Sequence, residues 1–153
     1  MESVTDTTDL LALDRQVCFA LSIASRSVIG LYRPLLQPMG LTHPQYLVML
    51  ALWQHEPLSV KELGELLRLD PGTLSPLLKR LQALGHIHRE RNTSDERALA
   101  VTLTPAGRAL RAEAEKIPPA IVERLGMDLA ELQHLHGVLT RVIAATDRDP
   151  RGP

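Results

Sequence analysis

The spacing of apolar residues changes once along this chain, from steps of three and four to steps of two, and then changes back. Between Ile87 and Leu103 the rhythm is that of a strand. Ile87, Arg89 and Arg91 alternate with their neighbours, Asn92-Thr93-Ser94-Asp95 reads as a turn, and Leu99, Val101 and Leu103 alternate again. Successive strand side chains point to opposite faces, so this segment is expected to be a hairpin with one apolar-facing strand. The periodic segments on both sides are helical, so the fold class is mainly α with a two-stranded insert.

The first of those helices carries Leu13, Val17, Leu21, Ala24, Val28, Leu31 and Leu35, a stripe that stops near Pro34, Pro38 and Gly40. Thr42 can cap a second helix with Pro44 in its first turn, and this one, to about Gln54, is apolar nearly all round and expected to be buried. Ser59-Val60-Lys61-Glu62 has capping-box spacing and opens a short helix to about Leu67. The next stripe is Leu74, Leu77, Leu78, Leu81 and Leu84, with Gly85 as its stop. Pro76 deep in that helix would lose a hydrogen bond, so the helix is expected to start between Pro71 and Thr73, its cap open between Asp70, Gly72 and Thr73. After the hairpin, Thr104-Pro105 opens a long helix that Pro118-Pro119 is expected to interrupt or kink. Asp128-Leu129-Ala130-Glu131 opens the last helix, with the stripe Leu129, Leu132, Leu135, Leu139 and Val142, and the tail from Asp147 is expected to fray.

Two short helices followed by a hairpin make a winged helix-turn-helix. The flanking helices are long, and their apolar stripes need a partner, which points to a homodimer over a monomeric bundle. One domain is expected over 1–153: dimerisation helices at about 8–40 and 104–147, and a DNA-binding lobe at about 41–103. The chain has 153 residues, a net charge of −1 and one cysteine, Cys18, so an intrachain disulfide is excluded. Its longest apolar run, Leu47–Trp53, is seven residues, against about 18 for a membrane span. The first nine residues hold Glu2, Asp6 and Asp9 and no basic residue, unlike a secretory signal. A cytoplasmic protein without membrane contact is expected.

In a helix-turn-helix the second helix enters the major groove. With its leucines turned inward, Thr73, Ser75, Pro76, Lys79, Arg80 and Gln82 are left outward. Thr73 and Ser75 offer hydroxyls, Pro76 an apolar contact for a thymine methyl, and Lys79 and Arg80 cations for phosphate or guanine. From Arg68 to Arg97 six basic residues, Arg89 and Arg91 among them, face four acidic ones, a local +2 in a chain of −1. At the hairpin tip Asp95 can hold Arg97 by a charge-assisted bond, and an arginine there can reach a minor groove.

The run Asp70-Pro71-Gly72-Thr73-Leu74-Ser75-Pro76-Leu77-Leu78-Lys79-Arg80-Leu81, followed by Gly85, Ile87, Arg89 and Asp95-Glu96-Arg97, resembles the DNA-binding core of MarR-type regulators. The resemblance covers about Leu13 to Ala145. It implies a homodimeric winged-helix repressor or activator, dimerised by its first and last helices, on a pseudo-palindromic duplex operator.

The segments Leu13–Leu21, Leu31-Tyr32-Arg33-Pro34-Leu35 and Leu41-Thr42-His43-Pro44-Gln45-Tyr46 resemble the OhrR branch of that family, the organic-hydroperoxide-responsive repressors with one reactive cysteine. The resemblance implies a redox sensor of Cys18, Tyr32 and Tyr46. Ser22 and His43 stand where those sensors carry tyrosines, so activation of the sulfur, or the pathway after oxidation, is expected to differ. Tyr32 lies 14 residues beyond Cys18, on nearly the same helix face but about 21 Å further along the axis. A tyrosine does not span that gap, so a Cys18–Tyr32 contact has to join two subunits. A free thiol titrates near pH ~8.5 and reacts as thiolate. With no second cysteine, a sulfenic acid at Cys18 goes on to a mixed disulfide, a sulfenamide or over-oxidation.

The alternative within the family is release by a small apolar or phenolic ligand between the helices, with Cys18 as filler. Outside it stand a thiol peroxidase and a helical module without DNA affinity. His86 and His88 have strand spacing and read as solvated or DNA-backbone histidines, while His134 and His136 at i, i+2 do not converge, so neither metal nor cofactor is expected. No nucleophile elbow, phosphate loop or paired-cysteine motif occurs, and the chain is not expected to be an enzyme.

Overall fold

The computed structural model describes residues 7–92 and 95–147, with side chains described except at 7–10, 13–15, 91–92 and 95–98. The middle of the expected hairpin turn, Thr93-Ser94, and the tail beyond Asp147 lie outside the described residues.

The first stripe forms α1 (Thr7–Leu36), which carries Pro34 in its last turn and passes into a 3-10 turn at Gln37–Met39. Thr42 caps α2 (His43–His55), and Gln45 closes the box: the Thr42 N–H donates to Gln45 Oε1 at 2.9 Å. Then come β1 (Leu58–Ser59), α3 (Val60–Leu67), α4 (Pro71–Ala83), β2 (Ile87–Asn92) and β3 (Asp95–Leu103). Val48, Met49 and Leu52 of α2, Leu63 of α3, Leu74, Leu78 and Leu81 of α4, and Ile87 and Val101 of the sheet make one buried core.

The expected two-stranded hairpin forms the wing, and a third, two-residue strand joins it. The sheet has the order β1-β3-β2, all antiparallel, with Leu58 opposite Val101 and Ser59 opposite Ala100. Two residues are too short to show a period, which is why the sequence concealed β1. Across the hairpin Ile87 faces Leu103, Arg89 faces Val101 and Arg91 faces Leu99, with a register shift between Arg91 and Asn92.

The stretch after the sheet is interrupted before Pro118-Pro119, as expected, and is broken once more at Leu110. In place of one long helix the chain makes α5 (Pro105–Ala109), α6 (Arg111–Ala114) and α7 (Ile117–Leu125). Pro118 and Pro119 open α7 in its first turn, where a missing N–H costs nothing. The break falls before them because neither can donate to the carbonyls of Ala114 and Glu115.

The chain divides after Glu115 into two compact units. In the second, α7 leads to α8 (Leu129–Asp147) through a reciprocal cap: the Glu131 N–H donates to Asp128 Oδ1 at 2.8 Å and the Asp128 N–H to Glu131 Oε1 at 3.2 Å. No residue of α8 is buried, and Leu129, Leu135 and Val142 stay exposed. In the first unit α1 leaves Leu11, Val17, Phe19, Leu21, Ile23 and Ile29 in solvent. Among the described residues no helix is long and apolar enough to cross a membrane.

Candidate nucleic-acid interface and sensor site

The α3–α4 turn is tight for reasons local to its residues. The Ser59 hydroxyl caps α3 by accepting the Glu62 N–H at 3.0 Å. At its other end the Leu69 N–H returns to the Gly64 carbonyl at 2.9 Å, and a Cβ on Gly64 would lie 2.9 Å from the Leu69 oxygen. Asp70 turns out to be the cap of α4, settling the open choice with Gly72 and Thr73. Its carboxylate accepts the Thr73 N–H at 2.8 Å and the Thr73 hydroxyl at 3.2 Å. With its proton committed to Asp70, the Thr73 oxygen offers outward only acceptor capacity, suited to the amino group of adenine or cytosine.

Burial of Leu74, Leu78 and Leu81 fixes the rotation of α4. Thr73, Pro76, Lys79, Arg80 and Gln82 are exposed and Ser75 is half-buried, so the expected outward set lies on one side of the helix. Arg89 is half-buried on β2, and its Nε donates to Gln82 Oε1 at 2.7 Å. Arg91 sits on β2 opposite Leu99, and Asp95 and Arg97 begin β3, but their side chains lie outside the described residues, so the Asp95–Arg97 pair does too.

Cys18 is exposed on α1. Tyr32 and Tyr46 meet elsewhere, at the junction of α1 and α2, with ring centroids 5.8 Å apart. His43 completes the group: its ring lies 5.0 Å from that of Tyr32, edge-on at 64°, and 6.4 Å from that of Tyr46. Cys18 is not among them. Because α1 is one helix from Thr7 to Leu36, a rise of about 1.5 Å per residue keeps the sulfur and the Tyr32 backbone about 21 Å apart along the axis in one chain. A cleft of about 440 Å³ opens beside the rings, lined by Ile29, Arg33, Gln37, Thr42, His43 and Pro44 among others.

Burial pushes the phenols of Tyr32 and Tyr46 up, Tyr46 further through its neighbour Tyr32, and pushes the His43 imidazole down. His43 is therefore neutral at pH 7. Since the unfolded chain takes up its His43 proton first as pH falls, the folded state loses stability from about pH 6.5 downward and regains it above. The melting temperature should fall between pH 7 and 5, and His43→Phe should flatten that fall. A slope unchanged by the substitution would assign the loss to other groups.

His86 departs from the solvated reading. It precedes β2, is half-buried, and holds a buried Nδ1 with no hydrogen-bond partner among the described residues, whereas His88 is exposed on the strand. Among the described residues no three His, Cys, Asp or Glu side chains gather as metal ligands. Sequence reasoning missed the joint that carries the sheet into α5. Glu56, at the end of α2, accepts the Leu103 N–H at 3.1 Å and the Arg108 guanidinium at 2.6 Å, and the Trp53 Nε1–H donates to the Gly107 carbonyl at 2.9 Å. These partners are 47 to 54 residues apart, beyond any local pattern.

Residues 41–99, from just before α2 into β3, match the model of the MarR family. An organic hydroperoxide resistance transcriptional regulator of Bacillus subtilis is 44% identical over 128 residues, covering 82% of this chain and 87% of that one. The chain belongs to the MarR family. The transcriptional regulator TtmR of Methylorubrum extorquens, of the same helix-turn-helix type, is 47% identical over 133 residues, 87% of this chain and 68% of its own. A solved structure of reduced AbfR bound to DNA superposes with a TM-score of 0.78 at 32% identity, covering 92% of this chain and 98% of that one. The MarR winged helix accounts for the order of α3, α4, β2 and β3, and the strand β1 belongs to the same small sheet.

Proposed function

We propose that this MarR-family protein is a dimeric transcriptional regulator that holds a duplex operator when Cys18 is reduced and lets go when an organic hydroperoxide oxidises it. The DNA-facing set is Thr73, Ser75, Pro76, Lys79 and Arg80 of α4 with Arg89, Arg91, Asp95 and Arg97 of the wing. Residues 41–103 form the DNA lobe, and about 8–40 and 104–147 supply the dimer helices, whose exposed leucines and isoleucines a second copy covers. Family membership and the relatives' names support the regulatory role.

One observation carries the sensor. Tyr32, His43 and Tyr46 form a ring cluster about 21 Å along α1 from the cysteine of their own chain. If that cluster serves a thiol, the thiol is the partner subunit's. There the thiolate attacks the distal peroxide oxygen, the O–O bond breaks, an S–O bond forms and the alcohol leaves with a proton. Sulfur is oxidised by two electrons to sulfenic acid as the peroxide is reduced. One thiol consumes about one equivalent, which separates a sensor from a peroxidase that turns over.

A gel shift on the duplex beside the protein's own gene tests the cycle. The reduced protein should bind, one equivalent of organic hydroperoxide per thiol should release it, and a dithiol should restore binding. A shift indifferent to hydroperoxide would refute the sensor and favour the second reading, a small apolar or phenolic effector. The cleft of about 440 Å³ beside the rings is what supports that rival.

A further inference from the structure

We infer that Gln82 is a positioning residue for DNA binding, holding Arg89 so that its two terminal amino groups face the sugar–phosphate backbone. The inference rests on the reading of α4 and the wing as the DNA-facing surface. Gln82 lies in the exposed last turn of α4, and Arg89 follows seven residues later on the first strand of the wing. The 2.7 Å bond from Arg89 Nε to Gln82 Oε1 joins the recognition helix directly to the sheet.

The chemistry of the pair is one-sided. Guanidinium has five N–H donors and no acceptor, and Nε uses one of them, leaving four on the terminal nitrogens in a fixed fork. Gln82 spends an oxygen lone pair on that bond and keeps its two amide donors. What the couple offers is a row of donors with a full positive charge, complementary to the acceptor-only oxygens of phosphate. No carboxylate neutralises it among the ion pairs of the described residues. Arginine otherwise loses rotamer freedom on meeting DNA. Here Gln82 has already restricted it, and the strand that carries it is anchored by Ile87, two residues before and buried.

Because a backbone contact carries no sequence information, a short duplex of arbitrary sequence serves as probe, titrated by anisotropy over a range of salt. Arg89→Ala should weaken binding at about 150 mM salt by roughly tenfold and lower the slope of log K against log salt by about 2 per dimer, one phosphate for each subunit. Gln82→Ala should weaken binding several-fold and lower the same slope in the same direction, with the melting temperature unchanged. In the Arg89→Ala background it should have no further effect. Equal losses from Gln82→Ala in both backgrounds would mean that Gln82 meets DNA by itself, and an unaltered slope would mean that the bond positions nothing. Either result overturns the inference while leaving DNA binding intact. Failure of the unmutated protein to bind duplex with any salt dependence would instead remove the DNA reading and this inference together.

Discussion

Cys18→Ser should leave the affinity of the reduced protein for its operator within about twofold and abolish the hydroperoxide response. The substitution exchanges one atom at an exposed position of α1, where neither packing nor a hydrogen bond of the DNA lobe is disturbed. A serine hydroxyl is not ionised at neutral pH and does not attack a peroxide. In the unmutated protein, oxidation that lowers affinity about 100-fold corresponds to roughly 2.7 kcal/mol of preference between two conformations. That is within what one altered group at a packed interface supplies, and well short of the ~5.5 kcal/mol that would turn a 99:1 population fully over. Operator binding measured by anisotropy before and after one equivalent of hydroperoxide reads both numbers. Release that persists in the serine variant would assign control to a bound effector.

Gly107→Ala should be among the most destabilising single substitutions available in the chain. A Cβ at that position overlaps the His86 carbonyl oxygen and lies 3.0 Å from its carbonyl carbon, both backbone atoms that no rotamer change can move. Relief requires the first turn of α5 to back away from the chain before β2, and that turn is fastened on several sides. Thr104 Oγ1 donates to the Gly85 carbonyl at 2.6 Å and accepts the Gly107 N–H at 3.0 Å, the Thr104 N–H donates to the His86 carbonyl at 3.0 Å, and Trp53 holds the Gly107 carbonyl. Overpacking of about 1–3 kcal/mol together with lost bonds of about 1 kcal/mol each comes to roughly 3–5 kcal/mol. This is a large share of the ~5–15 kcal/mol a domain has, and about 10 °C or more in melting temperature. Trp53, the only tryptophan in the sequence, reports the transition by fluorescence from beside the change. A melting temperature within about 2 °C of the unmutated protein would show that the contact is easily relieved.

What the sequence disclosed follows from how far each determinant reaches. Thr42, Ser59, Thr104 and Asp128 announce their helices because a cap bonds a backbone N–H only three residues on. The leucines of α4 disclosed its outward face, since a helix with three buried positions has no freedom to rotate. The α4 cap stayed ambiguous because Asp70, Gly72 and Thr73 are all competent caps, and only the path of the chain chooses. Pro118-Pro119 announced the interruption before α7, whereas the earlier break at Leu110 has no proline or glycine to mark it. The Gln82–Arg89 bond was invisible because one partner obeys a helical period and the other a strand period. His43 stood out in sequence as a departure from the sensor tyrosines, yet its place among the rings depends on how α1 meets α2.

The unbroken run of α1 bears on how such a detector comes into being. A newly synthesised subunit carries sulfur and rings alike, yet a rigid rod of peptide keeps them from meeting. On the sensor proposed for Cys18, a lone subunit would therefore be deaf to oxidant, and competence to respond would arrive in the same event as competence to grip a two-fold operator.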